Sequence, residues 1–132
     1  MDLVCVHPDL LPRLWPMVKD MIFTAVKNAD LGHTADVEKE VMHGNGVLWL
    51  AIEDDEIRGA LATVLVKTDQ RLVCMITALG GHRMKDWFHF LPQIEAWAKS
   101  EGATRMRLYG RRGWVRLLKD YYVSNVVMEK EL

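Results

Sequence analysis

The chain has 132 residues, half of them apolar, with a net charge of −1 and a pI near 6.5. That length suits one domain with a core of ordinary size, and so balanced a charge excludes nucleic-acid or anionic-membrane binding through bulk charge. No apolar run approaches the ~20 residues of a membrane span, and Met1 to Val6 lacks the basic segment and long apolar run of a signal peptide.

Cys5 and Cys74 are far apart in sequence and have no close His or Cys. A disulfide framework or zinc site is not expected, and both thiols should stay reduced in a cytoplasmic setting.

Leu3 to Val6 reads as a first strand, ended by Pro8. From Leu11 the apolar residues Leu14, Trp15, Val18, Met21, Ile22, Ala25 and Ala29 recur on one helical face, with Asp9 as N-cap and Pro12 in the tolerant first turn. Pro16 should kink this helix or delay its start. Gly32 closes it, and Thr34 can cap a second, short helix through Met42.

After a break at Gly44, Asn45 and Gly46, three strands are predicted: Val47 to Glu53, Ile57 to Lys67 with a bulge at Gly59, and Arg71 to Leu79. The nearly unbroken apolar run from Leu72 to Thr77 suits a central strand covered on both faces. Gly80-Gly81 should stop it.

A helix follows, carrying Trp87, Phe90, Leu91, Ile94, Trp97 and Ala98 at helical spacing, with a distortion at Pro92 and a C-cap at Gly102. Thr104 to Tyr109 is a strand. Trp114, Leu117, Leu118 and Tyr121 fit a short helix, and Tyr122 to Lys130 a last strand. The order is β-α-α-β-β-β-α-β-α-β, an α/β arrangement with a mixed sheet, one parallel pair and helices on both faces.

This order over nearly the whole chain resembles the GNAT superfamily of acyl-CoA-dependent N-acyltransferases, and residues 1–132 would then form a single GNAT-like domain. The matching residues are the strand Leu72 to Leu79, the loop Gly80-Gly81-His82-Arg83-Met84-Lys85 with the helix after it, the strand Arg105 to Tyr109 and the short helix from Gly113. In size and pattern the chain is also similar to the small acetyltransferase-like proteins of tailed phages and prophages.

The resemblance implies acetyl-CoA or another acyl-CoA as a substrate and an amine as acceptor. Gly81 to Lys85 would wrap the pyrophosphate, Ala78 and Leu79 would pair with the pantetheine arm, and Gly80 and Trp114 would flank the cofactor. Tyr121 or Tyr122 would protonate the leaving thiolate, and Glu53 or His82 would serve as base. A homodimer is a further expectation, and no metal is expected, because His7, His33, His43 and His89 lack ligand-like spacing.

The loop departs from the family pattern. Its glycines precede His82-Arg83, and Met84, Lys85 and Asp86 stand where small residues usually let backbone approach phosphate. Aligning the short helix on Trp114 puts Leu118 near the usual tyrosine. A fold-only relative, with an assembly or protein-interaction role, is therefore the alternative to an enzyme.

Other features have plainer readings. Arg105, Arg107, Arg111, Arg112, Arg116 and Lys119 fit a solvated face better than a nucleic-acid surface, because no aromatics interleave with them. Trp49 could line an acceptor cleft or pack in the core. Cys74 fits a buried, inert thiol. His7, His33, His43 and His89 lack ligand spacing.

Overall fold

The computed structural model describes residues 1–81, 84–110 and 112–132; the side chains of residues 84–86 lie outside this description. A five-stranded sheet has the order β1-β2-β3-β4-β5: β1 (Asp2–Cys5), β2 (Gly46–Glu53), β3 (Glu56–Lys67), β4 (Leu72–Gly81) and β5 (Arg105–Leu108). The first four are antiparallel neighbours, and β4 and β5 are parallel. The mixed α/β sheet expected from the sequence is therefore present.

Alternation along the strands divides two cores. Leu48, Leu50, Ala60, Ala62 and Ala78 face α1 (Leu11–Ala29) and α2 (Thr34–His43). Trp49, Ala51, Leu61 and Ile76 face the opposite layer, built from Trp87, Phe90, α3 (Leu91–Ser100) and Leu118. Ile22, Leu48 and Ile94 are fully buried, and each contributes about 1.5–3 kcal/mol by leaving water. Trp49 takes the packed position: its Nε1 donates to Thr63 Oγ1 at 3.1 Å, and Trp97 meets it edge-on at 5.2 Å.

Helix α1 forms because Leu11, Trp15, Val18, Ile22 and Val26 make one buried stripe. Its start is not delayed by Pro16, which sits inside the helix with its ring in solvent, so water can take the carbonyl bond that Pro16 gives up. Asp9 is not the cap. It lies in a 3-10 turn, Pro8–Leu10, whose N-cap is His7, with Nδ1 accepting the Asp9 N–H at 3.2 Å. The helix ends at Asp30, in the left-handed region with φ 51°, before Gly32 is reached. Likewise His33, not Thr34, caps α2 by accepting the Ala35 N–H at 3.0 Å.

Asp54 and Asp55 both have positive φ and close a tight β2–β3 hairpin, as such turns require. Beside it, Ala51 pairs with Gly59 and Ile52 with Ile57, which leaves Arg58 as a bulge next to the expected glycine.

Three expectations near the end of the chain need correction. First, Gly80-Gly81 does not stop the strand; β4 runs through both, paired with Ala60 and Gly59. Second, one helix does not cover Trp87 to Ala98. Pro92 has no N–H and its ring crowds the carbonyl four residues back, so α3 begins at Leu91, with Pro92 in its first turn, and Met84–Phe90 is a 3-10 segment.

Third, Tyr122 to Lys130 is not a strand. Helix α4 (Trp114–Leu117) ends before Tyr121, and the remaining residues form neither helix nor strand. A strand needs a partner, and this segment finds none among the described residues. No helix among the described residues is long and apolar enough to cross a membrane.

Candidate functional site

Strands β4 and β5 run in register from the Val73–Arg105 pair to the Ile76–Leu108 pair, then part. Beyond that point β4 continues from Thr77 to Gly81, while the chain leaves β5 through Tyr109 and Gly110. On its other edge β4 stays bound to β3, with one extra residue, Thr77, between the Thr63–Ile76 and Ala62–Ala78 pairs. The bulge re-aims the strand, and the Thr77 hydroxyl donates to the Ala62 carbonyl at 3.3 Å. Along the open edge every second residue presents its N–H and C=O with no strand opposite.

The parted strands open a groove of about 910 Å³ between β4, α1 and α2. Met75 to Gly81 line it on the sheet side, Met21, Thr24 and Val37 on the helical side, and Tyr109, Gly110 and Trp114 follow β5 along it. Gly80 is what lets α1 lie this close: a β-carbon there would stand 2.4 Å from the Met21 carbonyl oxygen. Gly81 has φ 131°, and a β-carbon there would press on the Arg58 carbonyl at 2.6 Å. Gly80 serves close packing, and Gly81 a backbone conformation that L side chains rarely adopt.

The charge in the groove is one-sided. Asp20, Asp36 and Glu40 line it, with His33 beside them and no Lys or Arg among the described lining residues. Asp36 and Glu40 are one helical turn apart, a like-charge pair. Burial, and then the neighbouring Asp36 charge, raises the Glu40 carboxyl above its ordinary range. One Glu40 oxygen is buried without a hydrogen-bond partner among the described residues. His33 Nδ1 accepts the Ala35 N–H that caps α2 at 3.0 Å.

The sequence-predicted residues are only partly brought together. Ala78, Leu79, Gly80, Gly81 and Trp114 line the groove. His82 and Arg83 lie outside the described residues; Met84 and Lys85 begin the 3-10 segment, and their side chains lie outside the description too. Glu53 is exposed at the end of β2, two strands from β4, about 10 Å across the sheet at the usual spacing. Tyr121 and Tyr122 are not among the described lining residues.

The Tyr121 hydroxyl donates to Glu95 Oε2 at 2.6 Å, and burial followed by that bond raises its pKa strongly. Tyr122 is exposed. Cys74 faces the opposite core with Ala98 and Ala103, and burial pushes its thiol up to about 11, against a smaller lowering by Thr63. Sequence reading did not single out Asp20, Asp36, Glu40 or Tyr109. The signal for two of them was present: acids four residues apart, each beside a buried valine, Val37 or Val41.

No family model matches this sequence, and no curated protein matches it. Solved structures are similar throughout the chain. An aminoglycoside acetyltransferase from an uncultured soil metagenomic sample is 15% identical, with a TM-score of 0.71 over 99% of this chain and 96% of that one. A Pyrococcus furiosus protein described as an acetyl transferase is 15% identical, with a TM-score of 0.70 over 99% of this chain and 100% of that one. A second soil metagenomic aminoglycoside acetyltransferase, solved in complex with sisomicin, is 12% identical, with a TM-score of 0.66 over 99% and 95%. The chain thus has the GNAT-like fold of acetyltransferases.

Proposed function

We propose that this chain is an acyl-CoA-dependent N-acyltransferase, with acetyl-CoA the simplest donor and an amine the acceptor. The observation that carries the reading is the parting of β4 and β5 after Ile76 and Leu108, with the unpaired edge of Thr77 to Gly81 facing the groove. A pantetheine arm carries amides at a spacing that can pair with such an edge as another strand would. Ala78 and Leu79 would make those bonds, Trp114 would flank the arm, and residues 80–85 would meet the pyrophosphate.

Bound acyl-CoA supplies an activated acyl thioester. The acceptor nitrogen attacks its carbonyl carbon, the carbon–sulfur bond breaks, and the proton lost by nitrogen must leave while one reaches the sulfur. Asp20, Asp36 and Glu40 draw a protonated amine into the groove, and Glu40, its carboxyl raised by burial, takes the proton directly or through water. For the thiolate, Tyr109 replaces Tyr121 and Tyr122 as donor, because it lines the groove whereas the Tyr121 proton is engaged by Glu95. The sisomicin complex of a similar fold supports an acceptor bearing several amines.

A second reading keeps the fold without the chemistry, in an assembly or interaction role. It is favoured by the engaged Tyr121 and by Met84, Lys85 and Asp86 in place of small loop residues.

Thermal unfolding with excess acetyl-CoA, and with CoA as control, separates the two. Ligand at about a hundred times its dissociation constant adds roughly 2.7 kcal/mol, an upward shift of about 10 °C for a chain of this size. That shift, lost in the Arg83→Ala/Lys85→Ala double variant and followed by thiol release with an aminoglycoside or polyamine, is the expected result. No shift at millimolar ligand sinks the acyltransferase reading and leaves the interaction role.

A further inference from the structure

The helical wall of the groove between β4, α1 and α2 is acidic, but its floor is not. On this face of the sheet the core ends at Ala62 and Ala78. Before the Thr77 bulge, the cross-strand pair Val64–Met75 and then Val66 are left to line the groove, with Leu31 from the turn after α1. Val66 is 37% exposed, Leu31 42% and Tyr109, along β5, 55%. Apolar side chains left open inside a concave site are surface for a ligand to cover.

The direction of the cofactor decides which ligand this is. On the acyltransferase reading, Ala78 and Leu79 pair with the pantetheine arm and residues 80–85 meet the pyrophosphate. The acyl end then points back along β4 toward Thr77, and the acceptor lies over Met75, Val64 and Val66. From Thr63 to Val66 that floor is about 10 Å long at the usual rise along a strand.

Charge is sorted by wall. Asp20, Asp36 and Glu40 line the helical side with His33. On the same face of the sheet, the parallel register sets Arg107 beside Met75 and Arg105 beside Val73, yet neither arginine is among the described lining residues. The lining therefore offers carboxylates to an ammonium group, apolar surface to what carries it, and no cation to an acceptor carboxylate.

We infer that the acceptor is a primary amine borne on an apolar body, an alkyl or aralkyl chain lying on Val64, Val66 and Met75 with its ammonium turned to the acids of the helical wall. The inference rests on the acyltransferase reading and narrows it. The step itself is unchanged: the N–C bond forms, the C–S bond breaks, and nitrogen gives up a proton as sulfur gains one. Polyamines and aminoglycosides set further ammonium or hydroxyl groups on the apolar floor, where these lose water without gaining a partner, and so react more slowly.

The test follows thiol release from acetyl-CoA with straight primary alkylamines from butylamine to octylamine. Hexamethylenediamine, sisomicin and the pair leucine and isoamylamine complete the set. The value of kcat/KM should rise about fourfold for each methylene until the floor is covered. Hexylamine should exceed hexamethylenediamine by about tenfold or more. Val66→Asp, its fold checked by circular dichroism, should flatten the alkyl series and narrow that gap. If acetyl-CoA raises the melting temperature but hexamethylenediamine or sisomicin reacts as fast as hexylamine, this inference falls and acyl transfer stands. Faster reaction of leucine than of isoamylamine also overturns it, by bringing Arg107 into the site. So does a melting shift with no thiol release from any alkylamine. Neither shift nor release overturns the inference together with the acyltransferase reading.

Discussion

Gly80 lies against the backbone of Met21, where any β-carbon would sit 2.4 Å from the Met21 carbonyl oxygen. This contact seats α1 on β4 and sets the width of the groove between them. Gly80→Ala must therefore push the helix away or strain the strand, at a cost of about 1–3 kcal/mol. Equilibrium denaturation with urea measures it, and an unchanged midpoint would mean that α1 does not dock here.

The buried pair Trp49–Thr63 anchors the opposite core. Thr63→Val keeps the shape but leaves the Trp49 indole N–H with no acceptor, at a cost of about 1–3 kcal/mol. Thr63→Ser keeps the hydroxyl and should lose about 1 kcal/mol or less. Equal losses in the two variants would show that the hydrogen bond contributes little.

Two tyrosines separate chemistry from structure. Tyr109→Phe should lower kcat by about 10²-fold or more if Tyr109 delivers the thiolate proton. Tyr121→Phe should leave kcat near that of the parent and destabilise the fold by about 1–2 kcal/mol through the lost bond to Glu95. Steady-state kinetics with the acceptor found by thiol release, paired with thermal unfolding, decides between them; the reverse pattern would return the donor role to Tyr121.

Glu40 gives a pH signature. Its carboxyl is raised in the folded state, so the folded chain binds more protons than the unfolded one from the ordinary value of 4.5 upward. Stability therefore falls as pH rises through the raised value, and the strain is present at neutral pH. Because Glu40 is partly exposed, solvent screens the effect: Glu40→Gln should raise the melting temperature at pH 7 by only about 1–2 °C, and by nothing at pH 4. The same variant should lower kcat by about 10²-fold or more if Glu40 is the base. Loss of stability at pH 7 would show that the carboxylate has a partner.

The sequence by itself determined the order of the first elements and the sheet class, because periodicity records which side chains leave water. The stripe Leu11, Trp15, Val18, Ile22 and the alternation through Leu48, Trp49 and Leu50 are local patterns with one burial solution each. What tertiary structure decided was every feature that depends on a distant neighbour. Gly80-Gly81 reads as a turn until Met21 and Arg58 are seen to press against it. Tyr121 reads as a proton donor until Glu95 takes its hydroxyl, and nothing in the sequence marks Glu40 as having one oxygen buried. Residues 122–130 have the composition of a strand, but composition cannot supply the edge that a strand must pair with.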